Sequence, residues 1–215
     1  MTKSFLVILF SIYVSSFYSQ ICQNPSYRLE SLRTKNITKD TILRLIKNDL
    51  DFIDPLLNDT IADIGSRDGY YPLNYSIFFD STMYYLNDIN EDNFVYFDSI
   101  KDICTQFKGK NISCKFKIVI GNDSCTNLPN NLFNKVLIRD ALHHFKSMDR
   151  MLTEIKHIMK FNAKLILYEP IRSTLVINKN LCKGAMTKDE LINLLKKNGF
   201  NLIRERIQNS YGSWF

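Results

Sequence analysis

The chain lacks the residue spacings of a metal site. Its 215 residues include five cysteines and three histidines, and no two cysteines have the C-x-x-C spacing. The histidines do not complete a zinc pattern either. We therefore predict no metal site. Because the number of cysteines is odd, at least one thiol is free or pairs with another chain.

Clustered positive charge is also absent. The formal net charge is +6, but the 28 lysines and arginines are scattered, and no basic cluster is longer than the pair Lys196 and Lys197. Nucleic-acid-binding proteins concentrate basic residues in a stripe or patch, so we predict no nucleic-acid partner. The sequence has no internal repeat and no low-complexity tract, and its length suits one domain behind an N-terminal extension.

No apolar run has the ~20 residues that a membrane-spanning helix needs. The run Phe5–Val14 follows a short basic start and precedes small polar residues, which is the three-part pattern of a secretory signal peptide. We predict that residues 1–19 are a signal peptide cut after Ser16 or Ser19, and that the protein is exported to the periplasm or secreted. The alternative is a membrane-anchored protein with an uncleaved leader.

The rest of the sequence alternates between strand and helix patterns. Residues 20–59 contain one amphipathic helix that starts near Thr38, and residues 60–215 form the main domain. Strands are predicted at 60–64, 83–87, 114–120, 132–138, 163–168, 200–207 and 211–215. Helices are predicted at 70–79, 92–107, 148–159 and 187–198, the last with a capping box of Thr187 and Glu190. This alternation predicts an α/β fold with an open, mostly parallel, Rossmann-like sheet and helices on both faces.

The first strand of the main domain leads into a glycine turn. Asp63 lies near the end of the strand, Gly65 and Gly69 follow, and Asp88 lies at the tip of the second strand. In open α/β sheets such a turn binds a nucleotide-like ligand, because glycines let the backbone approach the ligand and the later acid binds the ribose hydroxyls. Each acid has a structural alternative, in which Asp63 stabilises the turn and Asp88 caps the next helix.

Several segments in the same order resemble class I S-adenosylmethionine-dependent methyltransferases, over nearly the whole chain from Thr38 onward. They are Ala62–Tyr70, Tyr84–Asn90, Gly121–Pro129 with Phe133–Phe145, and Leu152–Pro170. The resemblance implies the class I methyltransferase fold and S-adenosyl-L-methionine as the cofactor. Because the sequence has no separate substrate domain and no basic stripe, we predict a small molecule as the methyl acceptor. The resemblance also implies the cofactor-binding residues Asp63, Gly65, Ser66, Arg67, Gly69, Asp88, Asn122 or Asp123, and Arg139. Of these, Asp88 would bind the ribose, Asn122 or Asp123 the adenine amine, and Arg139 would face cofactor or substrate.

Arg67 departs from the family pattern, which has glycine at this position. A positive φ here would strain an arginine. Its side chain would either pair with the carboxylate of the cofactor or obstruct the pocket. A non-catalytic, exported methyltransferase-like binding protein is therefore the first alternative function. A nicotinamide-dependent oxidoreductase is the second, and the segment Leu142–Phe145 fits it poorly.

The residues after the fourth and fifth strands of the main domain include candidates for catalysis. His143 and His144 are candidates for a catalytic base, since the pKa of histidine suits proton transfer near neutral pH. Packing and hydrogen bonding are the alternative roles of both histidines. Glu169 either orients the substrate or is a surface carboxylate.

Overall fold

The structure is a computed structural model that describes residues 5–11, 39–172, 184–209 and 212–214. These residues form one sheet of eight strands in the order β4-β3-β2-β5-β6-β1-β7-β8. All are parallel except β8, which pairs antiparallel with β7. The predicted open, mostly parallel sheet is thus confirmed. The strands are β1 (Phe5–Ser11), β2 (Thr60–Ile64), β3 (Met83–Asp88), β4 (Lys115–Ile120), β5 (Phe133–Arg139), β6 (Met159–Tyr168), β7 (Phe200–Asn209) and β8 (Gly212–Trp214).

Five α-helices in the described part of the chain cover both faces of the sheet, as predicted. They are α1 (Lys39–Ile53), α2 (Tyr70–Phe78), α3 (Phe97–Lys108), α4 (Met148–Ile158) and α5 (Lys188–Lys197). Successive residues of a strand point to opposite faces. Val136 and Ile138 of β5 accordingly pack in the core beneath α4 and α5. Leu137, between them, packs in the core beneath α1, α2 and α3.

The N-terminal residues contribute a strand to the middle of one half of the sheet. β1 pairs in parallel with β6, where Leu6 lies opposite Lys164 and Phe10 opposite Tyr168, and it pairs with β7 on its other side. The same residues are the apolar part of the predicted signal peptide. Cleavage after Ser16 or Ser19 would remove this strand from between β6 and β7. The signal peptide and the export of the protein stay predictions.

The helix predicted at 92–107 is divided in the structure. Glu91–Phe94 form a 3-10 turn, and α3 begins only at Phe97. The carboxylate of Asp88 accepts the N–H of Asn90 (3.1 Å), and the side chain of Asn90 accepts that of Asp92 (3.1 Å). Such local side-chain bonds compete with helical bonding. They explain why the helix starts later than its apolar pattern predicts.

The strand predicted to begin at Ala163 begins at Met159 instead. Asn162, predicted to lie in a turn, adopts φ +61° inside β6, and the register against β5 shifts between Phe133 and Lys135. The predicted turn at residues 160–162 is thus an irregularity within β6 and does not separate the helix from the strand. The other predicted strands and helices of the main domain lie within two residues of their observed bounds. Thr38, the predicted cap of α1, lies outside the described residues.

Neither a membrane-spanning helix nor a metal-binding group of side chains is present in the described part of the chain. It contains no helix long and apolar enough to cross a membrane. It also contains no group of three side chains placed to hold a metal ion. Cys104, Cys114 and Cys125 have free thiols there, while Cys22 and Cys182 lie outside the described residues.

Candidate active site

The carboxyl ends of four neighbouring strands form the candidate site. In the order β3-β2-β5-β6, these strands end at Asp88, Ile64, Arg139 and Tyr168. Ligands of open parallel sheets bind outside the carboxyl ends of the strands, where the connecting loops meet. The structure thus brings the predicted residues Asp63, Asp88 and Arg139 to one edge, and Glu169 follows directly after β6.

The turn between β2 and α2 requires its two glycines. Gly65 has φ +74° and Gly69 has φ +70°, conformations that cost other residues roughly 1–2 kcal/mol. A Cβ on Gly65 would lie 2.6 Å from the Cβ of Ala141. A Cβ on Gly69 would lie 2.9 Å from Cδ1 of Leu86. Backbone conformation and close packing therefore both explain the glycines of this motif.

Arg67 also has a left-handed backbone, with φ +53°. Its N–H donates to Oδ2 of Asp88 (2.9 Å), which ties the glycine turn to the end of β3. Its side chain is half-buried, and its positive charge acts on Asp140 and His144, so the guanidinium lies toward the loop after β5. The strain expected of an arginine with positive φ is present, about 1 kcal/mol. Ser66, the preceding residue, is buried.

Asp63 and Asp88 are buried acids at the ends of adjacent strands. Besides the bond from Arg67, Asp88 accepts the N–H of Asn90 (3.1 Å) and the side-chain amide of Asn93 (3.0 Å) through Oδ1. It therefore stabilises the turn after β3, which agrees with the alternative, structural role considered for Asp88. It also lies against the glycine turn, as a ribose-binding acid would. An ionised carboxylate has about four acceptor sites, so one remains for a ligand.

Asn122 and Asp123, the predicted adenine-side residues, lie in the loop after β4 and are exposed. Asn122 accepts the N–H of Ser124 (2.9 Å) within its own loop. Asp123 pairs with Lys146. Within the described residues, neither side chain bonds to Asp88. Both residues thus lie in the loop after β4, and their predicted contact with the adenine amine stays a prediction.

Arg139, at the end of β5, contacts two tyrosine rings. Its guanidinium carbon lies 4.0 Å from the ring centre of Tyr71 and 4.2 Å from that of Tyr168. Its Nη2 donates to Oδ2 of Asp49 (2.5 Å) and to Oη of Tyr75 (2.8 Å), and Tyr75 donates to the same carboxylate (3.0 Å). Burial raises the pKa of Asp49, although Arg139 and Tyr75 act in the opposite direction.

A small cavity lies beside this cluster of charged and aromatic residues. Its volume is about 20 Å³, which is enough for about one water molecule. Asp49, Asp63 and Arg139 line it together with Tyr71, Tyr75 and Tyr168. Asp49 and Ile53 belong to α1. The N-terminal helix therefore forms one wall of the site, a role that the sequence did not predict.

His143 is fixed by a buried carboxylate. Its Nδ1 lies 2.6 Å from Oε2 of Glu169, whose Oε1 accepts the N–H groups of Ala141 (2.9 Å) and Leu142 (2.7 Å). Glu169 is 1% exposed, so it is not a surface carboxylate. Burial lowers the pKa of His143, but the hydrogen bond and charge of Glu169 outweigh this effect, and the net shift is upward.

The second nitrogen of His143 faces another acid. Nε2 is buried, makes no hydrogen bond to any described residue and lies 4.0 Å from Oδ1 of Asp140. Burial and the charge of Glu169 raise the pKa of Asp140 to about 6. His144 is exposed, with its ring centre 4.0 Å from that of His143. Of the two candidate histidines, His143 is the one oriented by a carboxylate.

Several residues of the site were not predicted from the sequence, chiefly Asp49, Tyr75 and Asp140. Asp49 had one local signal, because it interrupts the buried apolar positions Ile46 and Leu50 of an amphipathic helix. A buried acid on an apolar helix face requires a partner. Nothing near Asp49 in the sequence identifies that partner, which is Arg139.

No protein-family model and no curated protein matches the sequence. Solved structures do match. A SAM-dependent methyltransferase from Aquifex aeolicus has a TM-score of 0.64 and 16% identity, over 89% of this chain and 97% of that chain. The fold is that of a class I methyltransferase.

Two further neighbours have the same fold in longer chains. Haemonchus contortus phosphoethanolamine N-methyltransferase 2 has a TM-score of 0.55 and 16% identity, over 87% of this chain and 44% of that chain. The [4+2]-cyclase SpnF has a TM-score of 0.57 and 16% identity, over 77% of this chain and 57% of that chain. The chain thus spans about half the length of these two proteins. At such identities the likeness concerns the fold.

Proposed function

We propose that the protein transfers a methyl group from S-adenosyl-L-methionine to a small-molecule acceptor. The glycine turn held against two buried acids carries this proposal. Gly65 and Gly69 bring the backbone close to the strand ends, and Asp63 and Asp88 lie at the tips of adjacent strands. In an open sheet this arrangement suits the amino-acid and ribose parts of a nucleoside ligand.

The residues of the turn fit such a ligand. Oγ of Ser66 is buried and has no hydrogen-bond partner among the described residues. An unpaired buried hydroxyl costs about 1–3 kcal/mol, which a ligand bond recovers. We propose that the ligand is held by residues implied by the sequence resemblance, namely Asp63, Gly65, Ser66, Arg67, Gly69, Asp88, and Asn122 or Asp123. Arg139 would face the cofactor or the substrate. When bound, S-adenosyl-L-methionine supplies an electrophilic methyl group.

The protein's own contributions are positioning and proton transfer. Methyl transfer is an in-line displacement, so holding the acceptor in line supplies much of the acceleration. An amine or hydroxyl acceptor must also lose a proton. Glu169 keeps a proton on Nδ1 of His143, which leaves Nε2 free to accept one on the side of Asp140. We propose His143 as the base and Glu169 as its positioning residue.

A non-catalytic binding protein of the same fold is the alternative function. Arg67 adds bulk and strain to the turn, and Asp88 already accepts three hydrogen bonds. The name of the neighbour SpnF is that of a cyclase, so the fold is not tied to methyl transfer. Export would favour this alternative as well, because S-adenosyl-L-methionine is made in the cytosol.

Calorimetric titration of the full-length protein with S-adenosylhomocysteine tests the proposal. We expect the wild type to bind, and Asp88→Ala to weaken binding by about 1–3 kcal/mol, since ligand hydroxyls lose a buried partner. Asp92→Asn, which changes an exposed acid in the same loop, is the matched control and should bind like the wild type. Binding of NAD in place of S-adenosylhomocysteine would favour an oxidoreductase.

Two variants of Arg67 separate the enzyme from the binding protein. If Arg67 pairs with the carboxylate of the ligand, Arg67→Ala weakens binding by about 1 kcal/mol or more. If it obstructs the pocket, Arg67→Gly strengthens binding by removing bulk and relaxing the turn. Absence of binding in the wild type and in both variants would disprove the methyltransferase function while leaving the fold unaffected.

A further inference from the structure

Arg139 is held firmly while most of its hydrogen-bond donors are unused. A guanidinium has five N–H groups in one plane, and only Nη2 donates here, to Asp49 and Tyr75. Nε and Nη1 make no hydrogen bond to any residue that the structure describes. The rings of Tyr71 and Tyr168 both contact the guanidinium and orient it independently of Asp49. A planar cation with a fixed orientation and free donors is preorganised for a planar anion.

The present partner of Arg139 comes from outside the sheet. Asp49 belongs to α1, whereas Arg139 and Tyr168 end two central strands. The cavity beside the ion pair holds about one water molecule, so an acceptor does not fit while α1 is in place. An acceptor that bonds to Arg139 therefore needs the space that α1 and its Asp49 occupy.

We propose that the methyl acceptor carries a carboxylate, and that this group binds Arg139 in exchange for Asp49. The inference rests on the proposed function, because it names the acceptor class of the same site. Between substrates, Asp49 neutralises the buried guanidinium, which avoids the cost of an unpaired buried charge. The rings of Tyr71 and Tyr168 favour an acceptor whose carboxylate is joined to a flat group.

Benzoate and benzamide test the proposal, because they share a flat shape and differ in charge. Each is titrated calorimetrically into the full-length protein without S-adenosylmethionine. We expect benzoate to bind at least tenfold more tightly than benzamide. Asp49→Asn should strengthen benzoate binding at least tenfold, because it removes the competing charge. Arg139→Lys should weaken it at least tenfold, because a lysine lacks the planar fork.

The matched control lies on the same helix. Asp51→Asn changes an exposed acid of α1 that pairs with Lys47 (3.0 Å), and it should leave the benzoate affinity unchanged. Since Asp49→Asn leaves a buried guanidinium without its counter-ion, the wild type provides a second measurement. Saturating benzoate should accelerate hydrogen exchange of the amides of α1, and benzamide should not.

Three outcomes would overturn the inference: no binding of benzoate, equal affinities for benzoate and benzamide, or unchanged exchange of α1 at saturating benzoate. A parallel titration with S-adenosylhomocysteine separates this inference from the proposed function. If benzoate behaves as expected and S-adenosylhomocysteine does not bind, the carboxylate site stands and the methyltransferase function fails. If only S-adenosylhomocysteine binds, the cofactor site stands and the acceptor class fails.

Discussion

Two largely buried cations at opposite ends of the sheet are held in different ways. Lys108 lies near the amino ends of the strands and uses all three of its N–H groups, on the carbonyls of Ser76 (2.6 Å) and Phe79 (3.0 Å) and on Oδ1 of Asp80 (2.6 Å). Arg139 lies at the carboxyl ends, donates only through Nη2 and borders a cavity. Burial is common to both, so it does not distinguish them. The number of unused donors does distinguish them, and under the proposal above it separates a structural contact from a ligand site.

The largest expected effect tests the structural side of this comparison. Lys108→Met should lower the free energy of unfolding by about 2–3 kcal/mol, because the buried carbonyls at the end of α2 lose a charged donor. Urea unfolding measures this loss. Lys110→Met removes the exposed second partner of Asp80 (3.2 Å), and it should change stability by less than about 0.5 kcal/mol. A folded Lys108→Met protein with altered benzoate affinity would contradict the distinction between the two cations.

A smaller change in the free energy of unfolding, an increase, is expected at the carboxyl ends of the strands. Arg67→Gly should raise the free energy of unfolding by about 1 kcal/mol, because glycine adopts the left-handed backbone of this turn without strain. The bond to Asp88 is made by a backbone N–H and is kept in the variant. Arg67→Ala retains the strain and is the control. If urea unfolding shows that both variants gain the same free energy of unfolding, the loss of the arginine side chain, and not the relief of backbone strain, explains the gain.

The smallest effect is a change in pH dependence. Burial and Glu169 raise the pKa of Asp140 from 3.8 to about 6, so the folded state retains a proton that the unfolded chain has lost between these values. The contribution of this group to stability is therefore complete below about pH 4 and lost as the pH rises to about 6. Urea unfolding measured between about pH 4 and pH 6 should show this fall in stability for the wild type and not for Asp140→Asn. Asp102→Asn, an exposed acid of α3, should retain the wild-type profile, and parallel profiles for all three proteins would refute the shift.

Most of the fold follows from local signals in the sequence. The capping box of α5 is an example, since Thr187 Oγ1 accepts the N–H of Glu190 (3.2 Å) and Glu190 accepts that of Thr187 (2.7 Å). Both partners lie within one helical turn, so spacing alone predicts them. The late start of α3 escaped prediction because the side chains of Asp88 and Asn90 compete with an apolar pattern that is also local.

The candidate site was predictable where it consists of strand ends and of the turns that follow them. Asp63 and Asp88 were predicted from strand ends, which meet at one edge of a parallel sheet, and Arg139 from the family resemblance. The pair of Arg139 with Asp49 joins residues 90 positions apart. The partner of His143, Glu169, lies 26 positions away. Pairs of this kind depend on how helices and loops pack over the edge, which a single sequence does not specify.

The place of β1 in the sheet has a consequence for the order of events during synthesis. β1 is made first, but its partners begin only at Met159 and Phe200. At 5–20 residues per second, the leader exists without a partner strand for on the order of ten seconds, and parallel pairing over such a separation is slow. If the leader is a signal peptide, targeting factors would meet it before the sheet could hold it. A chain whose export was delayed would complete the sheet with its targeting signal between β6 and β7, and the location of the protein would then be under kinetic control.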